Sequence, residues 1–457
     1  MFKKLKELNL HILMTVFFLG LFLGVNVSYL ASAREPAHQY LDYFHRVYQI
    51  LRSEYVEVPD TKKLFYGAIR GMIGAMDDPF SRFLDEKALQ QLKEMTTGKF
   101  VGVGIEITVR DGEIVVISPI DNSPAMSAGI LAGDVIKKVN DTVIRDKKLT
   151  EIVKMIKGLP KSKVKLYIER EGYDELLEFD VERAPIKIKS VASGIIPNGN
   201  VGYIKVKNFG SDTTTDVRKA IEGFNKKNVQ RIIMDLRYNP GGLLTAAVEM
   251  SDLFLDKGKV IVSTRGRKGT RNERVFKAVN PSLAKGELIV LVNGGSASAS
   301  EIFAGAMRDN KRGMLLGVKT FGKGSVQKSF SLDENVGVAV TIARYYTPSG
   351  EMIHRKGIKP NYSVKPKKLN DADKKAVKEI SRLKILDSFV SKKTTFSSET
   401  RRAFKKLLKD KKIIVSGRTA DLMLKNQLMR YKKRSLYDLE FDVQLMTALE
   451  KLKSGSK

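Results

Sequence analysis

The 457-residue chain contains no cysteine and no tryptophan. Without cysteine there is no thiol nucleophile, no thiolate zinc site and no disulfide. Such a composition suits an extracytoplasmic protein without requiring one. Histidine is scarce as well: His11, His38, His45 and His354 are the whole supply. His11 lies in an apolar N-terminal stretch, His38 and His45 in a region of helical spacing, and His354 in a turn-like stretch after Pro348-Ser349-Gly350. None is well placed to act as a catalytic base, so serine chemistry here would need another base. Acidic residues also lag, with 51 Asp and Glu against 81 Lys and Arg, a formal net charge of +30. About half of that excess lies after Val364. A basic tail attracts anionic lipid, cell-wall polymer or nucleic acid, yet lysine spread along the whole chain also reads as a solvated surface. There is no zinc finger and no groove of arginine and aromatics, so no specific nucleic-acid partner is expected. What the chain does have is 42% hydrophobic and 29% charged residues, enough for sizeable cores.

The N-terminus carries a targeting pattern. Lys3, Lys4 and Lys6 precede the apolar stretch His11 to Val27, and Ala31-Ser32-Ala33 follows. A basic segment, an apolar segment and a small-x-small site make a secretory signal. The stretch is also nearly long enough to span a bilayer, so residues 11–30 could anchor an uncleaved chain in the inner membrane. Either way residues 1–33 direct the body out of the cytoplasm, to a periplasmic or other extracytoplasmic location.

Four further regions follow. Residues 34–97 read as helical, with Tyr40, Tyr43, Phe44, Val47, Ile50 and Leu51 at helical spacing and Asp60 as an N-cap. The aromatic stripe reads as packing or self-association surface. Residues 98–183 turn to short strands, with a turn at Asp111-Gly112, a short helix near Pro124 and a longer one from Thr150. Small modules of this kind bind an extended peptide along a strand edge. The loop Gly102-Val103-Gly104-Ile105 would offer backbone N–H groups to a terminal carboxylate. Residues 184–365 alternate strands and helices, an α/β core with parallel pairing. Its turns Asn239 to Gly242 and Asn293 to Ser298 both follow strands and are expected to face one crevice. Residues 366–457 read as a basic helical extension with a weak loop near Ser391 to Ser398.

The chemistry concentrates between Leu288 and Gln327. Ser296, Ser298 and Ser300 alternate with alanine at the start of a helix-like stretch. Small neighbours admit a substrate carbonyl, and a helix N-terminus supplies N–H groups for an oxyanion. The pattern alone does not choose among the three serines. Lys323, between glycines and beside Phe321, is the candidate base; burial must lower its proton affinity for that role. Gln327, four residues on, could orient it. Residues 317–323 also match the first seven positions of a P-loop, but Gly324 stands where Ser or Thr should bind magnesium. The stretch Ser325 to Leu332 then alternates like a strand, whereas a P-loop opens a helix. No metal or cofactor is implied.

Three motifs give the chain a resemblance: NGGSASASE over 293–301, TFGKGSVQ over 320–327 and DLRYNPGG over 235–242. With them, most of residues 37–365 resembles the carboxyl-terminal processing (tail-specific) proteases, Ser/Lys peptidases with an inserted PDZ domain. Residues 123–140 resemble part of that PDZ domain, with Asp141 where the pattern often has glycine. The resemblance implies a multidomain α/β protein: helical N-terminal region, PDZ domain, peptidase core and helical extension. It implies that Ser298 is the nucleophile, Lys323 the general base and Gln327 its orienting partner. The oxyanion hole would be the N–H groups of Gly242 and Ala299. It further implies an acyl-enzyme endopeptidase whose PDZ domain reads apolar C-terminal tails through residues such as Gly102 to Ile105, with Arg170 coupling that domain to the active site. Implied partners are protein substrates, an adaptor, a second copy in a homodimer and, for the basic extension, an anionic wall or membrane surface. The competing reading is an inactive PDZ scaffold that only binds tails.

Overall fold

The computed structural model describes residues 37–110, 112–170, 172–197, 200–390, 394–428 and 435–453. The signal or anchor expected over residues 1–33 lies outside these, as do Asp111 and Ser391. Among the described residues no helix is long and apolar enough to cross a membrane.

The chain divides after Asp77 into two compact units. The first holds helices Ala37–Glu54 and Thr61–Gly74. Asp60 caps the second helix, its carboxylate accepting the Lys63 N–H at 3.0 Å. Phe44 and Tyr48 pack on Phe65, with ring centroids 5.8 and 5.1 Å apart. Tyr40, Tyr43 and Val47 of the same helix remain exposed.

The second unit contains the β-rich module. Strands 105–110, 113–119, 135–139, 163–169 and 177–182 pair in that order, all antiparallel. Ile136, Val139, Leu166 and Ile168 pack beneath helix Leu149–Ile156, whose Ile152 is fully buried. A two-stranded ribbon, Lys99–Gly102 against Ala184–Lys187, frames the module at its two ends.

The α/β core is a six-stranded sheet in the order 191–196, 201–206, 231–235, 288–292, 314–317, 362–363. The first pair is an antiparallel hairpin and every later pair is parallel. Helices Thr213–Lys226, Leu244–Asp252 and Ala299–Asp309 share a core with Ile204, Met234 and Val290 on one face. Tyr203, Ile233 and Leu291 point to the other face, which is covered by Leu445, Ala448 and Leu452 of helix Val443–Lys453. Burial on both faces explains why these strands are continuous apolar runs such as Leu288–Val292. A second, antiparallel sheet joins strands 82–84, 337–346, 260–266 and 274–277, with 325–331 beside the long strand 337–346. Of this sheet the sequence suggested only the segment from Ser325.

The basic extension divides. Helices Asp371–Arg382, Ile385–Phe389, Ser398–Asp410 and Gly417–Leu428 build their own core around Ile380, Phe404 and Leu424. The final helix instead returns to the α/β core and is fastened there by a buried charge cluster. Arg237 forks onto Asp235 (Nε–Oδ1 3.0 Å, Nη2–Oδ2 2.7 Å) and onto Asp442 (Nη1–Oδ1 2.8 Å, Nη2–Oδ2 2.6 Å). Tyr203 donates to Asp235 at 2.6 Å. Burial alone would push the Asp235 carboxyl up, but Arg237, Lys205 and Tyr203 together hold it below the ordinary range. A depressed carboxyl contributes stability above its unfolded-state value and loses it as pH falls through the folded one. Removing the central cation leaves a fully buried carboxylate short of its partner. Arg237→Ala is expected to cost about 3–5 kcal/mol of unfolding free energy, measured by urea denaturation at neutral pH.

Candidate active site

Two turns at the carboxyl ends of neighbouring parallel strands form the site. After Asp235 the chain enters the turn Tyr238 to Leu243. Asn239, fully buried, ties it down by donating to the Val206 carbonyl at 2.9 Å and accepting the Gly241 N–H at 2.9 Å. Gly241 and Gly242 have φ of 101° and 149°. A Cβ on Gly242 would lie 2.2 Å from the Phe209 oxygen, and one on Gly241 would lie 2.8 Å from Ser298 Cβ and 2.9 Å from the Ala299 nitrogen. Only glycine lets this strand-like strap pass so close to the second turn.

The second turn runs from Asn293 to Ser298 after strand Leu288–Val292. Asn293 Oδ1 accepts the Tyr238 N–H at 2.9 Å, and the Ala297 N–H donates to the Asn239 carbonyl at 3.0 Å, so the two turns do share one crevice. The alternating serines have different environments. Ser296 donates to the Leu236 carbonyl at 2.8 Å and Ser300 to the Asn239 carbonyl at 2.9 Å, and both are fully buried. Ser298 is the partly exposed member and opens helix Ala299–Asp309. Its backbone is strained, with φ 54° and ψ −112°, a conformation that costs a non-glycine residue about 1–3 kcal/mol. Beside it, the N–H groups of Gly242 and Ala299 make no hydrogen bond among the described residues.

Glu301 holds the strained turn. Its carboxylate is fully buried and accepts four donors: Ser298 N–H at 2.9 Å, Thr320 hydroxyl at 2.6 Å, Gly322 N–H at 2.7 Å and Lys323 N–H at 2.8 Å. Burial pushes its proton affinity up, and the four donors oppose that rise without cancelling it. The spacing Ser298-x-x-Glu301 is a capping-box pattern that could have singled this residue out in the sequence. Glu301→Gln replaces one acceptor oxygen by a donor that faces N–H groups. The expected loss is about 2–4 kcal/mol of stability, read by denaturant unfolding, with lower turnover in the folded fraction.

Lys323 lies on the loop that Glu301 holds. Its Nζ sits 5.1 Å from the centroid of the Phe80 ring. Burial, with a smaller contribution from the Arg82 charge, lowers its proton affinity below that of an ordinary lysine. Gln327 directs its amide to Ser325 Oγ at 2.7 Å and Thr341 Oγ1 at 3.3 Å. Among the described residues no hydrogen bond joins Lys323 Nζ to Ser298 or Gln327. His354 also belongs to this neighbourhood: a Cβ on Gly324 would lie 2.2 Å from its backbone nitrogen, and its ring meets Phe80 edge-on at 6.2 Å. Its buried Nδ1 has no hydrogen-bond partner among the described residues. Strand Ser325–Ser331 follows the lysine loop directly, which excludes a P-loop.

In the β-rich module, Gly104 has φ 79° and packs on Ser123, while the Val103 and Gly104 carbonyls accept from Ala125 and Ile120. Arg170 forks onto Asp134 at 2.8 and 2.7 Å and donates to the Gly129 carbonyl at 2.8 Å, all within the module.

A lysine whose proton is disfavoured by the fold destabilises it while charged in both states. That penalty is full below the folded-state value and fades as pH rises to the ordinary lysine range. Lys323→Met is therefore expected to unfold at higher denaturant than the native chain at neutral pH, with the gap closing in alkaline buffer.

Comparison with known proteins adds three family matches: Peptidase family S41 over residues 200–364, a PDZ domain over 101–181 and the activating protease CtpB N-terminal domain over 26–88. A carboxy-terminal-processing protease of Bartonella bacilliformis is 38% identical over 359 residues, 76% of this chain and 82% of that protein. The carboxy-terminal processing protease CtpA of Bacillus subtilis is 37% identical over 75% of this chain and 73% of its own length. Among solved structures, a photosystem II D1 C-terminal processing protease is 33% identical, covering 72% of this chain and 88% of that one, with a TM-score of 0.43.

Proposed function

This chain belongs to peptidase family S41, as a PDZ-bearing, serine-type carboxy-terminal processing protease, and we propose that it cleaves its substrates through Ser298, Lys323 and an oxyanion hole formed by Gly242 and Ala299. The observation that carries this reading is the pair of unengaged N–H groups flanking the one partly exposed serine of the 296–300 run. Neutral Lys323 takes the Ser298 proton as Oγ attacks the scissile carbonyl. The oxyanion forms between the two N–H groups, where fixed donors need no reorganisation. The protonated lysine then gives its proton to the leaving amine, and water resolves the acyl-enzyme. The Nζ–Oγ contact this requires forms on activation, when Gln327 also turns from Ser325 and Thr341 to orient the lysine.

The substrate class is exported protein with an apolar C-terminal tail, docked as an added strand with its carboxylate at the Gly102 to Ile105 loop. Arg170 couples the docked tail to the catalytic site, which requires its release from Asp134. An adaptor sets the activation state, the exposed aromatic face of helix Ala37–Glu54 supports a homodimer, and the basic extension faces an anionic surface. The domain limits we assign are 34–97, 98–183, 184–365 and 366–457.

The test is cleavage of an unfolded protein with an apolar tail, followed by mass spectrometry. Ser298→Ala and Lys323→Ala are each expected to lower kcat by about 10⁴-fold or more. Equal cleavage by the lysine variant would remove it as the base. Because the neutral amine is the active form, kcat/KM is expected to rise with pH, with a midpoint below the ordinary lysine value.

A further inference from the structure

The chemistry above leaves Phe80 without a role, although its ring centroid stands 5.1 Å from the lysine amine. The ring is carried on a strap, residues 78–84, that is fastened on both sides. Asp78 accepts the Phe80 N–H at 3.2 Å and the Ser81 hydroxyl at 2.6 Å. Ser81 Oγ in turn accepts the Thr341 N–H at 3.0 Å. Beyond it, Arg82, Phe83 and Leu84 pair with Ala339, Val338 and Gly337, and Phe83 and Leu84 are buried. The backbone that carries the ring is therefore held on both sides, and the ring stands 5.1 Å from Lys323 Nζ and meets the His354 ring edge-on.

We propose that Phe80 is a positioning residue for the general base, its ring holding water away from the Lys323 amino group. The inference rests on Lys323 being that base. Two effects of opposite sign act through the ring. Its face attracts the ammonium, which favours the charged form. Its bulk displaces water, which favours the neutral form. Burial is the leading cause of the lysine's lowered proton affinity, and a ring 5.1 Å from Nζ takes space that water would otherwise fill. Arg82 on the strap is the charge that acts on the amine, and Glu301 lies beneath the Lys323 N–H; Arg344 on the long strand, Arg355 on the following turn and Asp78 at the base of the strap act on the neighbouring His354 ring. Arg82 adds to the effect of burial.

The test is kcat/KM against pH for the full chain, with native, Phe80→Ala, Phe80→Val, Phe80→Leu and Lys323→Ala proteins and thermal melting of each. Phe80→Ala is expected to move the acid limb upward, about tenfold less active near neutral pH and converging with the native enzyme in alkaline buffer. Phe80→Leu, apolar but without a π face, is expected to keep the native limb, and Phe80→Val to lie between. A limb that stays or moves down in Phe80→Ala, or a loss equal at every pH, would overturn the proposal. Should melting show that variant unfolded, an unmoved limb in Phe80→Val overturns it instead. Activity retained by Lys323→Ala would sink the base assignment; an inactive Lys323→Ala beside an unmoved Phe80 limb would sink the Phe80 role alone.

Discussion

A single buried carboxylate holds the Ser298 turn and the Lys323 loop together. Glu301 receives the Ser298 N–H from its own helix start and the Thr320, Gly322 and Lys323 donors from the loop after strand Met314–Gly317. Burying a charge this completely is unfavourable unless every acceptor position is filled. The four donors fill them, and each is a group whose position the site needs. The same interaction that stabilises the carboxylate thus fixes the strained serine and the lysine loop relative to one another.

The sheet supplies the frame for that contact. Parallel strands 231–235 and 288–292 are adjacent, so their following turns emerge side by side. The Asn293 side chain, accepting the Tyr238 N–H, and the Asn239 carbonyl, accepting the Ala297 N–H, then stitch the turns where strand pairing has ended. Gly241 and Gly242 allow contact distances no side chain could tolerate. Precision at the site therefore comes from short polar bridges between rigid strand ends, while apolar packing on both sheet faces keeps those ends in register.

Much of this was legible in the sequence because it depends on local pattern. The strand–turn–helix alternation from Val201 to Asp309 follows from apolar runs bounded by Gly, Pro and Asn. The basic extension was legible as helical but not in its division, since amphipathic periodicity does not say which neighbour a helix will cover. In the antiparallel sheet the strand 337–346 pairs with 260–266 and with 82–84, both far away in sequence, and composition does not encode such pairings. His354 and Phe80 were not legible as neighbours of Lys323 for the same reason: 274 residues of chain separate them from each other, and the long strand 337–346 brings the strap and the turn together. Strand Leu177–Glu182 alternates apolar and acidic residues, a local signal of a half-buried strand.

The clasp of Arg237 on Asp442 joins the middle of the chain to its last helix. Synthesis delivers a chain from its N-terminus, so Asp442 emerges after Ser298 and Lys323. Until then Arg237, two residues upstream of the buried Asn239, lacks one of its two carboxylate partners, and the sheet face beneath Tyr203 and Leu291 lies open. A polypeptide broken off before Asp442 has Ser298 and Lys323 and an unfinished frame for them. Docking of helix Val443–Lys453 is thereby coupled to the strand ends that carry the two turns, a safeguard of evident value to a protease.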